Sequence, residues 1–197
     1  ERIEDGLDEK AGSYLRVINS ECARLTRLIN NVLTFSRRQR RVLETHARPM
    51  EVCATVRKLL KQFEAAFGKK GIEVETDLDQ CPPAMADPDA VEQILINLFS
   101  NVEKYAANGE WLGVSARKTD DHLQVRVCDR GPGFPPRMRE RVFEPFVRGG
   151  SRLDEGVSGT GIGLSIARDL ARRQGGDLKV EQSDTGACFL LTLPLAQ

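Results

Sequence analysis

The spacing of apolar residues changes at Pro49 and divides the chain into two kinds of structure. Before this point, apolar side chains advance in steps of three and four residues, at Leu15, Ile18, Cys22, Leu25, Ile29 and Val32. Such spacing is the a/d seam of a coiled coil, whose apolar stripe needs a partner helix. We therefore predict that residues 1–45 form a long coiled-coil-like helix of a dimeric four-helix bundle, which would make the protein a homodimer. A single amphipathic helix packed on its own domain is the alternative.

Beyond Pro49, helical and strand-like segments alternate. Helical patterns occupy 51–71, 87–109, 135–143 and the residues after 164, whereas strand-like patterns occupy 72–78, 111–119, 122–129, 176–184 and 186–195. This order predicts an α+β fold, a two-layer α/β sandwich in which helices cover one face of a mixed sheet. Residues 46–197 are expected to form this second domain.

Charge and composition limit the possible partners. The 29 Lys and Arg residues balance the 29 Asp and Glu residues, so no general attraction to nucleic acid is expected. No apolar run approaches the ~20 residues that would cross a bilayer. The five cysteines lack a C-x-x-C pair and are expected to be reduced packing residues. Because the chain begins without Met, we expect a cytoplasmic piece of a longer protein, attached to an inner membrane only through missing upstream segments.

A polar stripe follows one face of the helix predicted at 87–109. Asn97, Asn101, Lys104 and Tyr105 lie at i, i+4, i+7 and i+8. Asparagine side chains offer neutral oxygen ligands to a hard cation, and a nearby lysine could neutralise phosphate. The stripe therefore predicts a metal and phosphate site, although a solvated helix face would have the same composition.

Two glycine-containing turns could complete such a site. In the first, Asp129 ends an apolar strand and is followed by Gly131 and Gly133, so a planar ligand could lie against the backbone. A carboxylate there can accept a hydrogen bond from the amine of adenine, whereas the carbonyl of guanine would be repelled. A plain β-turn explains the glycines and the proline between them equally well.

The second turn, residues 159–164, opens a helix whose first N–H groups could bind an anion. Its G-x-G-x-G spacing is neither a dinucleotide-binding fingerprint nor a P-loop. Taken alone, it cannot be distinguished from a flexible turn.

Together these segments have an informative order. The segments 97–105, 129–133, 143–146 and 159–164 resemble, in sequence, the N box, first glycine box, F box and second glycine box of sensor histidine kinases. These kinases belong to an ATPase superfamily that includes DNA gyrase, Hsp90 and MutL. The resemblance covers residues 48–197, and the upstream seam is similar to the second helix of the dimerisation and phosphotransfer domain.

This resemblance implies a site for ATP and Mg²⁺. In it, Asn101 and Asn97 would hold the metal, Lys104 and Tyr105 would contact phosphate or the flank of the nucleotide, and Asp129 would bind the adenine amine. The turn glycines Gly131 and Gly133 would shape the base pocket. The phosphates would face Thr160, Gly161, Ile162, Gly163 and Leu164, with the Leu164 side chain turned into the core.

The resemblance also implies an ATP lid between residues 146 and 159. Arg148 and Arg152 match the basic residues that reach the γ-phosphate, and Phe143 and Phe146 would anchor the lid by burying their rings. The F box separates kinases from gyrase-like relatives. A hydrolytic clamp of the gyrase kind would carry a general-base glutamate where this chain has Asn97, so the sequence argues against such a clamp.

The phosphoacceptor is the main departure from the family. Neither His46 nor His122 has the sequence context of the family's acceptor histidine, so we expect that histidine upstream of Glu1. The expected function is transfer of the γ-phosphoryl of ATP to a histidine and then to the receiver domain of a response regulator. This fragment should bind ATP without autophosphorylating. The alternative is a nucleotide-binding dimerisation or adaptor module that has lost phosphotransfer.

Overall fold

Five strands pair into one mixed sheet, as the sequence predicts. The computed structural model describes residues 46–79, 81–106, 110–147 and 161–196. Its strands are β1, Arg48–Met50; β2, Glu73–Asp77; β3, Ala84–Ala86; β4, Trp111–Lys118; β5, His122–Asp129; β6, Asp177–Glu181; and β7, Cys188–Pro194. The five-stranded sheet has the order β2-β4-β5-β7-β6, and β2 runs parallel to β4 while the other neighbours are antiparallel.

The described residues contain three helices: α1, Val52–Lys69; α2, Pro88–Tyr105; and α3, Gly163–Arg173. The core lies between these three helices and the five-stranded sheet. The strand residues that face it alternate with more exposed residues. The fully buried inward set is Leu112, Val114, Ala116, Leu123, Val125, Val127, Leu178, Leu191 and Leu193. Each such Val or Leu contributes about 1.5–3 kcal/mol when it leaves water, so this layer is the main source of stability. Residues Thr45–Gln197 form one compact unit.

Several local predictions need correction. The sequence predicted neither β1, which contains Pro49, nor β3, with which it pairs in a separate two-stranded sheet. The helix predicted at 135–143 is instead two 3₁₀ turns, Pro136–Met138 and Arg141–Phe143. The strand predicted at 72–78 forms β2, and all five of its residues are exposed, which alternation did not indicate. Each difference depends on a tertiary neighbour that local periodicity does not reveal.

The cysteine prediction is also wrong. The structure joins Cys53 to Cys81 and Cys128 to Cys188 as disulfides. Cys128 and Cys188 are separated by 60 positions but lie directly opposite each other on β5 and β7. Sequence spacing alone carries no information about this register, which is why the pair was missed. Cys22 lies outside the described residues.

Asp87 fixes the start of α2 and ties it to α3. Its Oδ1 accepts hydrogen bonds from the N–H groups of Asp89 (2.9 Å) and Ala90 (3.3 Å), which is an N-cap. The Asp87 N–H in turn donates to Oε1 of Gln174, just after α3, at 2.7 Å. The amide group of Gln174 also donates to Leu170 O at 2.9 Å. One end of α2 is therefore fixed against the far end of α3.

A buried guanidinium connects α3 to the second 3₁₀ turn. Arg168 is 8% exposed and donates to Asp177 at 3.0 Å and to Glu140 at 2.5 Å. Its guanidinium also lies 4.6 Å from the ring centre of Phe143. Partial burial would raise the pKa of Asp177, but hydrogen bonds from Arg168, Arg172 and the Leu178 N–H outweigh it, so the pKa is lowered.

The predicted helix of residues 1–45 lies outside the described residues. In the part of the chain that is described, no helix combines the length and apolar character needed to span a membrane.

Replacing Arg168 with Met should lower the free energy of unfolding by about 2–3 kcal/mol at pH 7, because two carboxylates lose a buried partner. Since the pKa of Asp177 is lowered, its contribution is present above the ordinary carboxyl pKa of about 3.9 and is lost as the pH falls through the folded-state value. The difference between wild type and variant should therefore shrink at pH 3. Urea unfolding at both pH values measures it.

Arg172→Met is the matched control. Arg172 contacts the same Asp177 carboxylate, at 2.9 Å, but is 56% exposed. An exposed ion pair contributes about 0–1 kcal/mol, so this variant should lose much less stability. Equal losses in the two variants would contradict the role of the buried guanidinium.

Candidate functional site

The polar stripe of α2 meets the start of α3 at Asn97. A Cβ built on Gly163 would lie 3.3 Å from Asn97 Oδ1, so the glycine lets the first turn of α3 approach this amide. Asn97 Nδ2 is buried, and no described residue provides it with a hydrogen-bond partner. A buried amide nitrogen without a partner is uncommon and marks a position where a ligand could supply the missing acceptor.

The rest of the stripe becomes more exposed toward the end of α2. Asn101 is half-buried, Lys104 is exposed, and Tyr105 is 44% exposed. Ile94, Leu95, Leu98 and Val102 form a buried arc beside them. The stripe therefore borders the core along one side and opens to solvent at Lys104 and Tyr105.

Asp129 is held by backbone groups from two directions. Its Oδ1 accepts hydrogen bonds from the Gly131 N–H at 2.8 Å and from the Ala187 N–H at 3.1 Å. Its own N–H donates to Ala187 O at 2.8 Å. Both of these hydrogen bonds are to Oδ1, and the described residues make none to Oδ2. The side chain is therefore held through Oδ1.

The carboxyl of Asp129 has a raised pKa. The residue is 7% exposed, and burial disfavours its charged form. The N–H groups of Ala187 and Gly131 oppose this effect without cancelling it. The fold therefore tolerates an energetic cost to keep a carboxylate at the end of β5, which is characteristic of functional positions.

The glycines after Asp129 let this turn lie closer to neighbouring backbone than a residue with a side chain could. A Cβ on Gly131 would lie 2.9 Å from the Ala106 Cα, just after α2. Gly133 has a φ of +62°, and its Cβ would lie 2.6 Å from Gly186 O. A Cβ on Gly186 itself would lie 2.0 Å from Asp129 O. The turn is thus enclosed between the end of α2 and the approach to β7.

Gly186 and Ala187 are functional candidates that sequence reasoning missed. They act through backbone groups and close packing, so their side chains carry no chemical signal. The sequence feature that could have indicated them is the "TGAC" segment, where Gly186 begins the last predicted strand pattern. Only the sheet order brings it beside Asp129.

Helix α2 lies against both predicted turns. It contacts α3 at Asn97 and the Asp129 turn through Ala106, nine residues further along. At 1.5 Å per residue, these contacts are about 13 Å apart along the helix. The amide stripe spans the interval between them. The structure thus brings Asn97, Gly163, Asp129 and Gly131 around a common helix.

The start of α3 offers uncapped N–H groups. Ile162 occupies the N-cap position of α3, and in the described structure no side-chain hydrogen bond caps the helix there. Gly161 adopts a φ of +68°, which favours glycine. The prediction that Leu164 turns into the core is wrong, since Leu164 is half-buried and Ile162 is the buried residue at 4% exposure. Thr160, Arg148 and Arg152 lie outside the described residues.

Comparison with known proteins identifies the domain. Residues 86–197 match the family described as histidine kinase-, DNA gyrase B-, and HSP90-like ATPase. The chain belongs to this ATPase family. The match includes all of α2, the Asp129 turn, α3 and the final strands.

Relatives confirm the resemblance of this ATPase domain to sensor histidine kinases. The adaptive-response sensory kinase SasA of Gloeothece citriformis is 32% identical over 200 residues, covering 98% of this chain and 48% of the relative. The alginate biosynthesis sensor protein KinB of Pseudomonas aeruginosa is 30% identical over 203 residues, covering 99% of this chain and 32% of the relative. The chain thus spans about half the length, or less, of the curated relatives it matches.

A solved structure shares the fold of this ATPase-family chain. ShkA, whose full-length structure is in complex with AMPPNP, matches with a TM-score of 0.73 and 28% identity. The match covers 94% of this chain and 39% of ShkA.

Only one of the two phenylalanines of the F box buries its ring. Phe143 is 7% exposed, packed beneath Arg168, whereas Phe146 is 64% exposed and has a φ of +68°. The prediction that both rings anchor the lid is therefore wrong for Phe146. Its connection to the site is through the backbone, because its N–H donates to Gly161 O at 2.9 Å.

A cavity of about 350 Å³ lies between α3 and the second 3₁₀ turn. It contains none of the predicted site residues and is lined by Glu140, Phe143, Glu144, Ser165, Arg168, Asp169 and Arg172. Three carboxylates and two guanidiniums line it, so charges of both signs meet there. The lining includes Arg168 and its ion-pair partner Glu140.

Replacing Asp129 with Asn should raise the free energy of unfolding by about 0.5–1 kcal/mol at pH 7, because the buried charge is removed while Oδ1 keeps both N–H donors. A raised folded-state pKa means that wild-type stability increases as the pH falls through that pKa. The advantage of the variant should therefore disappear near pH 3. Thermal unfolding at the two pH values tests this.

Asp120→Asn, at an exposed position in the β4–β5 turn, is the control and should change stability by less than about 0.5 kcal/mol. An Asp129→Asn variant that is clearly less stable at pH 7 would contradict the balance between burial and hydrogen bonding described above.

Proposed function

We propose that this chain is the catalytic portion of a two-component sensor histidine kinase. It binds Mg·ATP and transfers the γ-phosphoryl to a histidine of the dimerisation domain, for relay to an aspartate of a response regulator. The observation that carries this proposal is the placement of α2. One helix carries an amide stripe between the uncapped start of α3 and the carboxylate of Asp129.

Asp129 would select the base. Because Oδ1 is occupied by two N–H donors, Oδ2 is the atom that would accept a hydrogen bond from the adenine amine. Guanine presents a carbonyl oxygen at the equivalent position, which a carboxylate repels. Gly131 and Gly133 would leave room for the ring against the backbone.

The phosphates would lie between α2 and α3. The N–H groups of Gly163 and Leu164 point out from the first turn of α3, where the helix dipole favours anions. Lys104 is exposed on the same face of α2 and would neutralise phosphate charge. Arg148 and Arg152 are proposed to do the same from the lid, at the γ-phosphate.

The residues present fit Mg²⁺. Within the described ranges, no cluster of three or more His, Cys, Asp or Glu residues could hold a metal ion by itself. Asn101 and Asn97 would instead contribute neutral amide oxygens alongside phosphate oxygens, which suits Mg²⁺. When bound, the metal supplies charge neutralisation at the phosphoryl group that is transferred.

The two histidines of the chain are poorly placed to accept phosphate. His122 begins β5, and Asp129 ends it, so they are about 23 Å apart along the strand. The His46 N–H donates to Asp87, which precedes α2 and is about 15 Å along the helix from Asn97. Direct transfer needs reacting atoms about 3–3.5 Å apart. An acceptor outside these 197 residues is therefore part of the proposal.

We also propose two protein partners and a cellular location. A receiver domain of a response regulator would take the phosphoryl group, and two copies would pair through the helix of residues 1–45. No nucleic acid takes part. The chain would act in the cytoplasm, with any attachment to the inner membrane provided by other segments of the parent protein. An adaptor that binds nucleotide without transferring phosphate is the second candidate.

A transfer assay with labelled ATP tests the proposal. The 197-residue chain is incubated with Mg·[γ-³²P]ATP and a separately supplied helical hairpin that carries an acceptor histidine. We expect acid-labile label on the hairpin and none on the chain itself. Label on His46 or His122 would contradict the missing acceptor, and tight ATP binding without any transfer would favour the adaptor.

Site variants test the assigned roles by calorimetry. Asn101→Asp should weaken Mg·ATP binding at least about tenfold, because a charge is placed beside the triphosphate. Asp129→Asn should weaken ATP binding by about 10- to 100-fold, because a charged acceptor becomes an amide that can present a donor to the adenine amine. The control Gln124→Glu adds charge on the opposite face of β5 and should bind ATP normally. Equal binding by all variants would refute the proposed site.

A further inference from the structure

The disulfide between Cys128 and Cys188 lies directly beside the contacts that hold Asp129. Cys128 is the residue before Asp129, and Cys188 is the residue after Ala187. The two cysteines are opposite each other in the register of β5 and β7. The sulfur bridge therefore joins the same two backbone segments that the Asp129–Ala187 hydrogen bonds join.

We propose that this cysteine pair makes nucleotide affinity sensitive to thiol redox conditions, with the disulfide form binding ATP more tightly. The inference rests on the proposed function, since it assigns a regulatory input to the same base-binding carboxylate. The disulfide would restrain the start of β7 against the end of β5. Reduction would leave Asp129 oriented by hydrogen bonds alone.

The packing around Asp129 makes it responsive to small movements of β7. The Ala187 N–H supplies one of the two hydrogen bonds to Oδ1, at 3.1 Å. Gly186 is so close that an added Cβ would lie 2.0 Å from Asp129 O. A displacement of residues 186–187 would therefore move Oδ1 of Asp129, and Oδ2 would move with it.

The cysteines and Asp129 occupy opposite faces of the sheet. Along β5 the side chains of Val125, Val127 and Asp129 are buried, whereas those of Arg126 and Cys128 alternate with them and are half-buried. Cys188 shares the face of Cys128, and its Sγ lies 3.9 Å from Glu181. A small thiol reagent could thus reach Cys128 from the outer face without entering the nucleotide site.

The chemistry is thiol–disulfide exchange with a low-molecular-mass disulfide such as oxidised glutathione. The thiolate of Cys128 attacks one sulfur, which forms a mixed disulfide and releases one small thiol. The thiolate of Cys188 then attacks the Cys128 sulfur, which forms the intramolecular bond and releases the second small thiol. Two protein thiols are oxidised, one small disulfide is reduced to two thiols, and those thiols carry the two protons.

The second disulfide provides a matched control. Cys53 lies at the start of α1, and Cys81 precedes β3, so this bond connects elements that do not contain Asp129 or Ala187. A Cys53→Ala/Cys81→Ala variant keeps the Cys128–Cys188 pair. A Cys128→Ala/Cys188→Ala variant removes it and keeps the other.

The test compares oxidised and reduced forms of the 197-residue chain. Each protein is equilibrated with oxidised glutathione or with a phosphine reductant, its disulfides are mapped by mass spectrometry, and the Kd for Mg·ATP is measured by calorimetry. Reduced wild type should bind about fivefold more weakly, as expected for weakening one hydrogen bond. The Cys53→Ala/Cys81→Ala variant should show the same response. The Cys128→Ala/Cys188→Ala variant should bind like reduced wild type under both conditions.

Hydrogen exchange separates this inference from the proposed function. The amide of Ala187 should exchange more slowly in the oxidised chain, whether or not nucleotide binds. An unchanged Ala187 amide, an equal Kd in both redox forms, or failure of the pair to oxidise would each overturn the inference. Absence of ATP binding in every form would refute the proposed function, while the exchange measurement would still decide the redox effect.

Discussion

The antiparallel pairing of β5 with β7 is the interaction on which the sheet and the candidate site both depend. β5 is the central strand of the five, and it ends at Asp129. The residue before β7 contributes both an acceptor and a donor to Asp129. If this register slipped by one residue, the inward-facing core side chains would turn outward and the carboxylate would lose its orientation. The candidate site therefore depends on the register of the sheet.

Helix α2 adds the second constraint. Its start is fixed to the far end of α3 through Asp87 and Gln174, and its middle contacts the start of α3 at Asn97. Two contacts at opposite ends of α3 define both its position and its tilt. The polar stripe is consequently a fixed surface, and ligand groups would meet donors and acceptors that are already oriented, which reduces the entropy lost on binding.

The sequence was sufficient to predict the layered fold, the strand boundaries around Asp129 and the polar face of α2, because each follows from local periodicity or capping. It could not predict the Cys128–Cys188 pairing or the contribution of Ala187, because both depend on register between distant segments. The predicted burial of the Phe146 ring is wrong, because the backbone of Phe146, rather than its ring, contacts the glycine turn. Local patterns were predictable, whereas contacts between remote segments, made by backbone groups or by cysteine side chains, were not.

The exposed strand β2 has a consequence for association between copies. It forms one edge of the sheet and presents Glu73, Glu75 and Asp77 to solvent. An open edge of hydrogen-bonding groups normally invites a strand from another molecule. Three carboxylates on so short a strand would repel an identical edge, and the sheet is protected from growing into a continuous β-structure. Two such domains could be held at high local concentration and still remain separate folded bodies.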